Sequence, residues 1–267
     1  MPRVFAILLL CLLLVPASAR AEESLCTKAQ VQDKEVLFRV STLPALMQGL
    51  YQGVLSIGEL LEHGDLGLGT FHGLDGEMVV LDHKAWQVRA DGSVIPASPC
   101  MSTPYAAVTF FEPDEAEILM PVSDIDNLEA QLSAMLPGPN IPCAIRVSGM
   151  FAQVTTRSVP EQSEPYPPLA EAAKQQRVFE GVNSPGTIVG FWLPAEYAGL
   201  GVAGFHLHYL SDGRDFGGHL LQVRATGLKA EIDLTPGLTV LLPDTQAFQA
   251  LDLSTHDEKA VDAVERQ

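Results

Sequence analysis

Gly204-Phe205-His206-Leu207-His208-Tyr209-Leu210-Ser211 and, after Asp212-Gly213-Arg214-Asp215-Phe216, the stretch Gly217-Gly218-His219-Leu220 read as two strands of one hairpin. Side chains alternate along an extended strand, so His206 and His208 share a face, about 7 Å apart along the chain. The turn signals Asp212-Gly213 and Gly217-Gly218 reverse the chain and let a strand beginning at His219 bring a third imidazole alongside. Three of the seven histidines thus converge within fourteen residues. Three imidazoles without a fourth protein ligand leave a coordination position open, the pattern of a catalytic zinc rather than a structural one. A lone histidine on an apolar strand commonly satisfies a hydrogen bond, but burying three among Val202, Phe205, Leu207 and Leu220 is costly without a metal. Cys26, Cys100 and Cys143 lack Cys-x-x-Cys spacing and do not suggest a closed zinc cage.

Working outward, Ala144–Val147, Phe151–Val159, Gly186–Trp192, Val202–Leu210, His219–Gly227 and Leu238–Leu242 predict a mostly antiparallel sheet around these histidines. Upstream, Val36–Val40 reads as a strand and Pro44–Tyr51 has helical spacing. Ser56-Ile57-Gly58-Glu59 forms a capping box for a short helix stopped at Gly64. From Thr70 to Ile95 the chain reads as a β-meander, with turns at Asp75-Gly76 and Asp91-Gly92, and Val108–Phe111 adds a strand. Ser123–Leu136 is an amphipathic helix with Ile125, Leu128, Leu132 and Met135 on its apolar stripe. Ala170–Phe179, after the Pro-rich segment Glu161–Pro168, is also expected to be helical. The expected fold is mixed α+β, with two sheet-containing halves, a few helices and a metal site on antiparallel strands of the C-terminal half. The expected division is an N-terminal α/β domain at 22–140 and a β-rich metal-binding domain at 141–267. After Leu253 the chain is charged, with Ala260, Val261 and Val264 spaced as for a frayed helix. Composition alone marks that tail as dispensable.

Met1-Pro2-Arg3, the apolar run Val4–Val15 and the small residues Pro16–Ala21 predict a secretory signal peptide over 1–21, cleaved after Ala19 or Ala21. The run is too short for a spanning helix of about 20 residues. Removing it takes away Arg3 and Arg20 and no acid, so the formal charge moves from −17 to −19. That charge disfavours nucleic acid and anionic membrane as partners. An exported protein, periplasmic or secreted, is expected; among its three remaining cysteines at least one has no intramolecular partner.

The blocks Val40–Leu43, Gly64–Phe71, Leu74–Glu77, Thr156–Pro160, Glu180–Asn183, Gly186–Phe191 and Gly204–His208 with Gly217–His219 are together specific, and over nearly the whole chain beyond the leader the sequence resembles the acetolactate decarboxylase family. The resemblance implies removal of carbon dioxide from 2-hydroxy-2-methyl-3-oxobutanoate (acetolactate) to give acetoin. It also implies a divalent metal, usually Zn2+, held by His206, His208 and His219, and two-domain subunits that form a homodimer. Glu77, Arg157, Thr70 and, in the tail, Glu265 match the family's other active-site positions.

Decarboxylation leaves an electron pair on carbon, and the neighbouring ketone oxygen accepts it as an enediolate, which a Lewis acid stabilises. Arg157 suits the substrate's charged oxygens, and Glu77 suits proton delivery. Two other readings compete. Cupins also join a His-x-His strand to a later histidine, but they usually supply a Glu soon after the pair, where Tyr209–Gly213 has none. An exported metal-binding protein without decarboxylase activity is the non-enzymatic alternative.

Overall fold

The computed structural model describes residues 34–253 and 258–265. The expected signal peptide and Cys26 lie outside them. In chain order the elements are β1 (Val36–Val40), α1 (Leu43–Met47), β2 (Leu55–Ser56), α2 (Ile57–Leu61), β3 (Leu66–Thr70), β4 (Glu77–Leu81), β5 (Lys84–Val88), β6 (Val94–Pro96), β7 (Ser102–Thr103) and β8 (Ala106–Thr109). Then come β9 (Glu115–Ile118), α3 (Ile125–Met135), β10 (Cys143–Ser158), α4 (Leu169–Ala172), β11 (Arg177–Leu193), β12 (Gly204–Ser211), β13 (Gly217–Ala225), β14 (Lys229–Leu234), β15 (Gly237–Leu241), α5 (Gln246–Gln249) and α6 (Glu258–Glu265). The expected mixture of sheets and a few helices is observed, and the described residues fall within one compact unit.

The meander β3–β6 is antiparallel and sits in a seven-stranded sheet of order β15-β1-β8-β3-β4-β5-β6. Ahead of it, α2 starts where the sequence says it must. The Ser56 hydroxyl accepts from Glu59 N at 3.2 Å, and the Glu59 carboxylate accepts from Ser56 N at 3.2 Å, satisfying two of the helix's orphan donors.

The second sheet has the order β11-β12-β13-β10-β14-β9. β10 and β11 form a long hairpin, in register from Cys143 opposite Trp192 to Ser158 opposite Arg177, and β13 pairs with the far edge of β10. β10, β11, β12 and β13 therefore close on themselves. The interior of this closed unit is filled by Phe151, Val154, Ile188, Leu207 and Tyr209, and the α3 residues Leu128 and Leu132 pack on the same core. The other face of β11 and β12 meets the first sheet: Val189, Phe191 and Leu210 pack against Leu68, Val79 and Ala107. Because neighbours on β12 alternate, Leu207 and Tyr209 enter the closed unit while His206 and His208 face the opposite way, toward the first sheet.

Two local expectations differ from the structure. The helix expected over Ala170–Phe179 ends at Gln175, and Val178 and Phe179 belong to β11, because pairing to β10 outweighs the weak helical spacing. Leu238–Leu242, assigned by pattern to the sheet around the histidines, pairs in parallel with β1, so the seven-stranded sheet takes a strand from the far side of residue 140. β9 and β14 carried no clear sequence signal; β9 is exposed along its length and reads as a polar loop. Of the cysteines described, Cys100 is exposed, Cys143 is buried, and both are free thiols.

Candidate metal centre

The cross-strand register builds the site. His208 lies opposite His219 on β12 and β13, and His219 lies opposite Arg157 on β10, so one row across three strands presents Arg157, His219 and His208 side by side. His206, two residues before His208, joins them on the same face. The close approach of β13 to β10 beside His219 depends on Gly218, at φ +126°, where a Cβ would meet the Arg157 carbonyl oxygen at 2.4 Å. The three imidazole centroids are 5.1, 5.2 and 5.4 Å apart, and one nitrogen from each lies within 4.8 Å of the others.

His208 is held from behind. Its Nδ1 is 2.8 Å from the Met78 carbonyl oxygen on β4; with the proton on Nδ1, the ring donates there and turns a bare Nε2 toward the other two histidines. That Nε2 is buried and has no hydrogen-bond partner among the described residues. Burial, aided by the charges of Arg39 and Arg157, takes His206 down to about 3. His208 and His219 also lie well below the usual imidazole range, chiefly through burial. Three neutral, converging imidazoles, one with an unmet buried lone pair, fit a divalent cation.

Two carboxylates flank the cluster. Glu77, at the start of β4, places Oε2 3.6 Å from His208 Nε2. Glu265, on α6, places Oε2 3.6 Å from His206 Nε2 and 3.7 Å from His219 Nε2, and its carbonyl oxygen is 2.9 Å from His219 Nε2. Burial pushes Glu77 up to about 7; Arg157 opposes the shift and Glu265 adds to it. A cation among the imidazoles would favour the ionised form. Arg157 Nη1 reaches Glu77 Oε1 at 3.4 Å, while Nη2 donates to Val264 O at 3.0 Å, so one guanidinium ties the acid to the C-terminal end of α6. Thr70, opposite Glu77 in register, donates from Oγ1 to Gly76 O at 2.7 Å and fixes the turn that delivers Glu77.

All seven residues singled out from sequence (Thr70, Glu77, Arg157, His206, His208, His219 and Glu265) line one cavity of about 40 Å³. Leu43, Leu46, Leu169 and Val264 close it on the apolar side. The tail that composition marks as dispensable is seated: Val261 and Val264 are 7% and 3% exposed and pack with Leu43, Leu46 and Leu169. An outer cavity of about 330 Å³, lined in part by Trp192, Phe205 and Gln222, shares His219 and Glu265 with the inner one.

Sequence reasoning missed two polar residues here. Tyr105 lines the inner cavity, and Arg39 holds its hydroxyl. The available signal was Arg39 itself, a charge in the apolar strand Val36-Leu37-Phe38-Arg39-Val40.

The profile of alpha-acetolactate decarboxylase matches residues 37–255. The chain is 40% identical over 232 residues to the alpha-acetolactate decarboxylase of Methanosarcina mazei, covering 87% of this chain and 81% of that one. It is 39% identical over 234 residues to the enzyme of Methylococcus capsulatus, covering 88% and 90%. The crystal structure of alpha-acetolactate decarboxylase from Bacillus subtilis strain 168 superposes with a TM-score of 0.84 at 35% identity, covering 87% of this chain and 100% of that one.

Proposed function

Because the chain belongs to the alpha-acetolactate decarboxylase family, a family of carboxy-lyases that act on acetolactate, we propose that it is a zinc-dependent enzyme converting acetolactate to acetoin and carbon dioxide at the His206–His208–His219 cluster. The observation that carries this reading is the gathering of three neutral imidazoles, two carboxylates and a guanidinium around one cavity. Bound there by the three histidines, Zn2+ would supply Lewis acidity toward the substrate's ketone and hydroxyl oxygens.

The remaining chemistry belongs to the chain. Loss of the carboxylate as carbon dioxide leaves an electron pair that spreads onto the ketone oxygen, and the carbon must then take a proton. Glu77, buried beside the histidines, is the carboxyl placed to hold that proton and deliver it to one face of the substrate. Arg157 keeps Glu77 in position. Its Nε–H, buried and without a partner among the described residues, is a donor left over for a substrate oxygen. Apolar walls from Leu43, Leu46 and Leu169 keep water from competing as the proton source.

The test is acetoin formation from acetolactate by the purified protein, with and without a chelator and with Zn2+ restored. Activity lost to the chelator and regained with Zn2+ is expected. Acetoin formation indifferent to metal would sink the zinc assignment, and none under any condition would sink the activity. Glu77→Gln should keep zinc and lose turnover about 10²- to 10⁴-fold, the range for a positioned acid or base. The apolar run Val4–Val15, between Arg3 and the small residues Pro16–Ala21, supports an exported enzyme, checked by sequencing the mature N-terminus. The homodimer implied by the family is checked by sedimentation.

A further inference from the structure

Arg39 is a buried cation with no ion pair among the described residues, and the Glu265 carboxylate bears on Tyr105 beside it. It is 3% exposed, and its described partners are neutral: Nη2 donates to Tyr105 Oη at 2.6 Å and Nε to Leu200 O at 3.1 Å. Arg157, by contrast, has Glu77. Gly201 makes room for the guanidinium, since a Cβ there would meet Nη2 at 2.4 Å. A buried guanidinium whose hydrogen bonds go only to neutral groups is stabilised further when an anion binds close by. It stands close enough to the metal cluster to help hold His206 neutral.

Tyr105 is the arm through which that charge meets the cavity. The residue is 2% exposed, and its backbone is fixed: its carbonyl accepts from Thr70 N at 3.0 Å and its N–H donates to Thr103 Oγ1 at 3.2 Å. The hydroxyl accepts from Arg39, which leaves its own hydrogen to be given elsewhere, in a residue that lines the cavity. Burial raises the phenol above its ordinary value, Arg39 opposes the shift and Glu265 adds to it, so the proton stays on oxygen at neutral pH. Arg39 polarises the O–H, which makes it a stronger donor.

We propose that Tyr105 is a substrate-binding residue that donates its phenol hydrogen to the carboxylate of acetolactate, with Arg39 behind it as the positioning residue that aims the hydroxyl and balances the anion. The inference rests on acetolactate being the substrate. A neutral donor backed by a charge suits a carboxylate that must leave as neutral carbon dioxide, because a direct ion pair would hold the ground state more tightly. The contact therefore contributes mainly to binding, and its loss should raise KM more than it lowers kcat.

Two ligands separate the carboxylate from the rest of the substrate: 2-hydroxyisobutyrate, a hydroxy acid with no ketone and hence no route to decarboxylation, and acetoin, which has no carboxylate. Binding of each to zinc-loaded wild type, Tyr105→Phe and Arg39→Gln is measured by calorimetry, alongside steady-state kinetics, zinc content and thermal melting. Tyr105→Phe is expected to weaken 2-hydroxyisobutyrate about tenfold or more, to change acetoin binding less than about twofold, and to raise KM for acetolactate with a smaller change in kcat. Arg39→Gln should show the same split, and the double variant should add little to either. Wild type that fails to bind 2-hydroxyisobutyrate, or variants that weaken both ligands equally or neither, would overturn the proposal. A wild type that binds 2-hydroxyisobutyrate through Tyr105 yet makes no acetoin would instead overturn the assigned activity.

Discussion

His208 works at both ends of its ring. Nδ1 hangs from the Met78 carbonyl on the first sheet, and Nε2 faces the other histidines on the second, so the candidate metal site and the packing of the two sheets share a side chain. His206 and His219 have no such second duty toward Met78, which makes them the cleaner positions to remove. His206→Ala and His219→Ala should fold, as judged by melting, but release zinc on dialysis and lose acetoin formation by at least about 100-fold, beyond what loss of an outer hydrogen bond to a ligand usually costs. Either variant with full metal content and normal turnover would show that three imidazoles do not share an ion. The His-x-His spacing was legible because strand alternation is local geometry. The carbonyl behind His208 was not, because Met78 is far away in sequence and a backbone oxygen carries no residue-specific mark.

Among the elements, α6 shows how far composition can mislead. Its charged, weakly apolar sequence promises little, yet Val261 and Val264 bury against α1 and α4, Arg157 caps its last turn, and the Glu265 carbonyl stands against His219 Nε2. The inner cavity beneath it is about 40 Å³. The neighbouring 330 Å³ cavity shares Glu265 and His219 with it. Truncation before Glu258 should leave a folded protein, lower turnover, and hasten transfer of zinc to a chelator, since Glu265 is gone and the histidines are uncovered. A truncated chain that gives up zinc no faster than the full-length protein would show that the helix does not guard the site.

On the scale of the molecule, acidity is also a matter of placement. Asp233, 2% exposed at the end of β14, has its carboxyl pushed up to about 7, chiefly by burial; the Glu112 N–H donating to it opposes the shift, and Asp114, Glu35 and Glu112 repel it further. The folded state thus keeps a proton that the unfolded chain releases near pH 4. This contribution to stability is intact below pH 4, is lost as pH rises to about 7, and is constant above that. Asp233→Asn should accordingly melt above wild type by a margin that widens from pH 4 to 7 and then levels off; a margin independent of pH would refute the shift. The sequence by itself determined the meander, the capped helix, α3, the hairpin that pairs His208 with His219, and, through resemblance, the reaction, because alternation, capping and turn chemistry act over a few residues. Only the tertiary structure decided that β15 crosses to the first sheet, that residues 177–179 extend rather than coil, that α6 seats Glu265 on the histidines, and that Arg39 stands behind Tyr105. Each of those depends on which distant surface a segment buries against, a free energy that belongs to the contact between segments and is absent from either one alone.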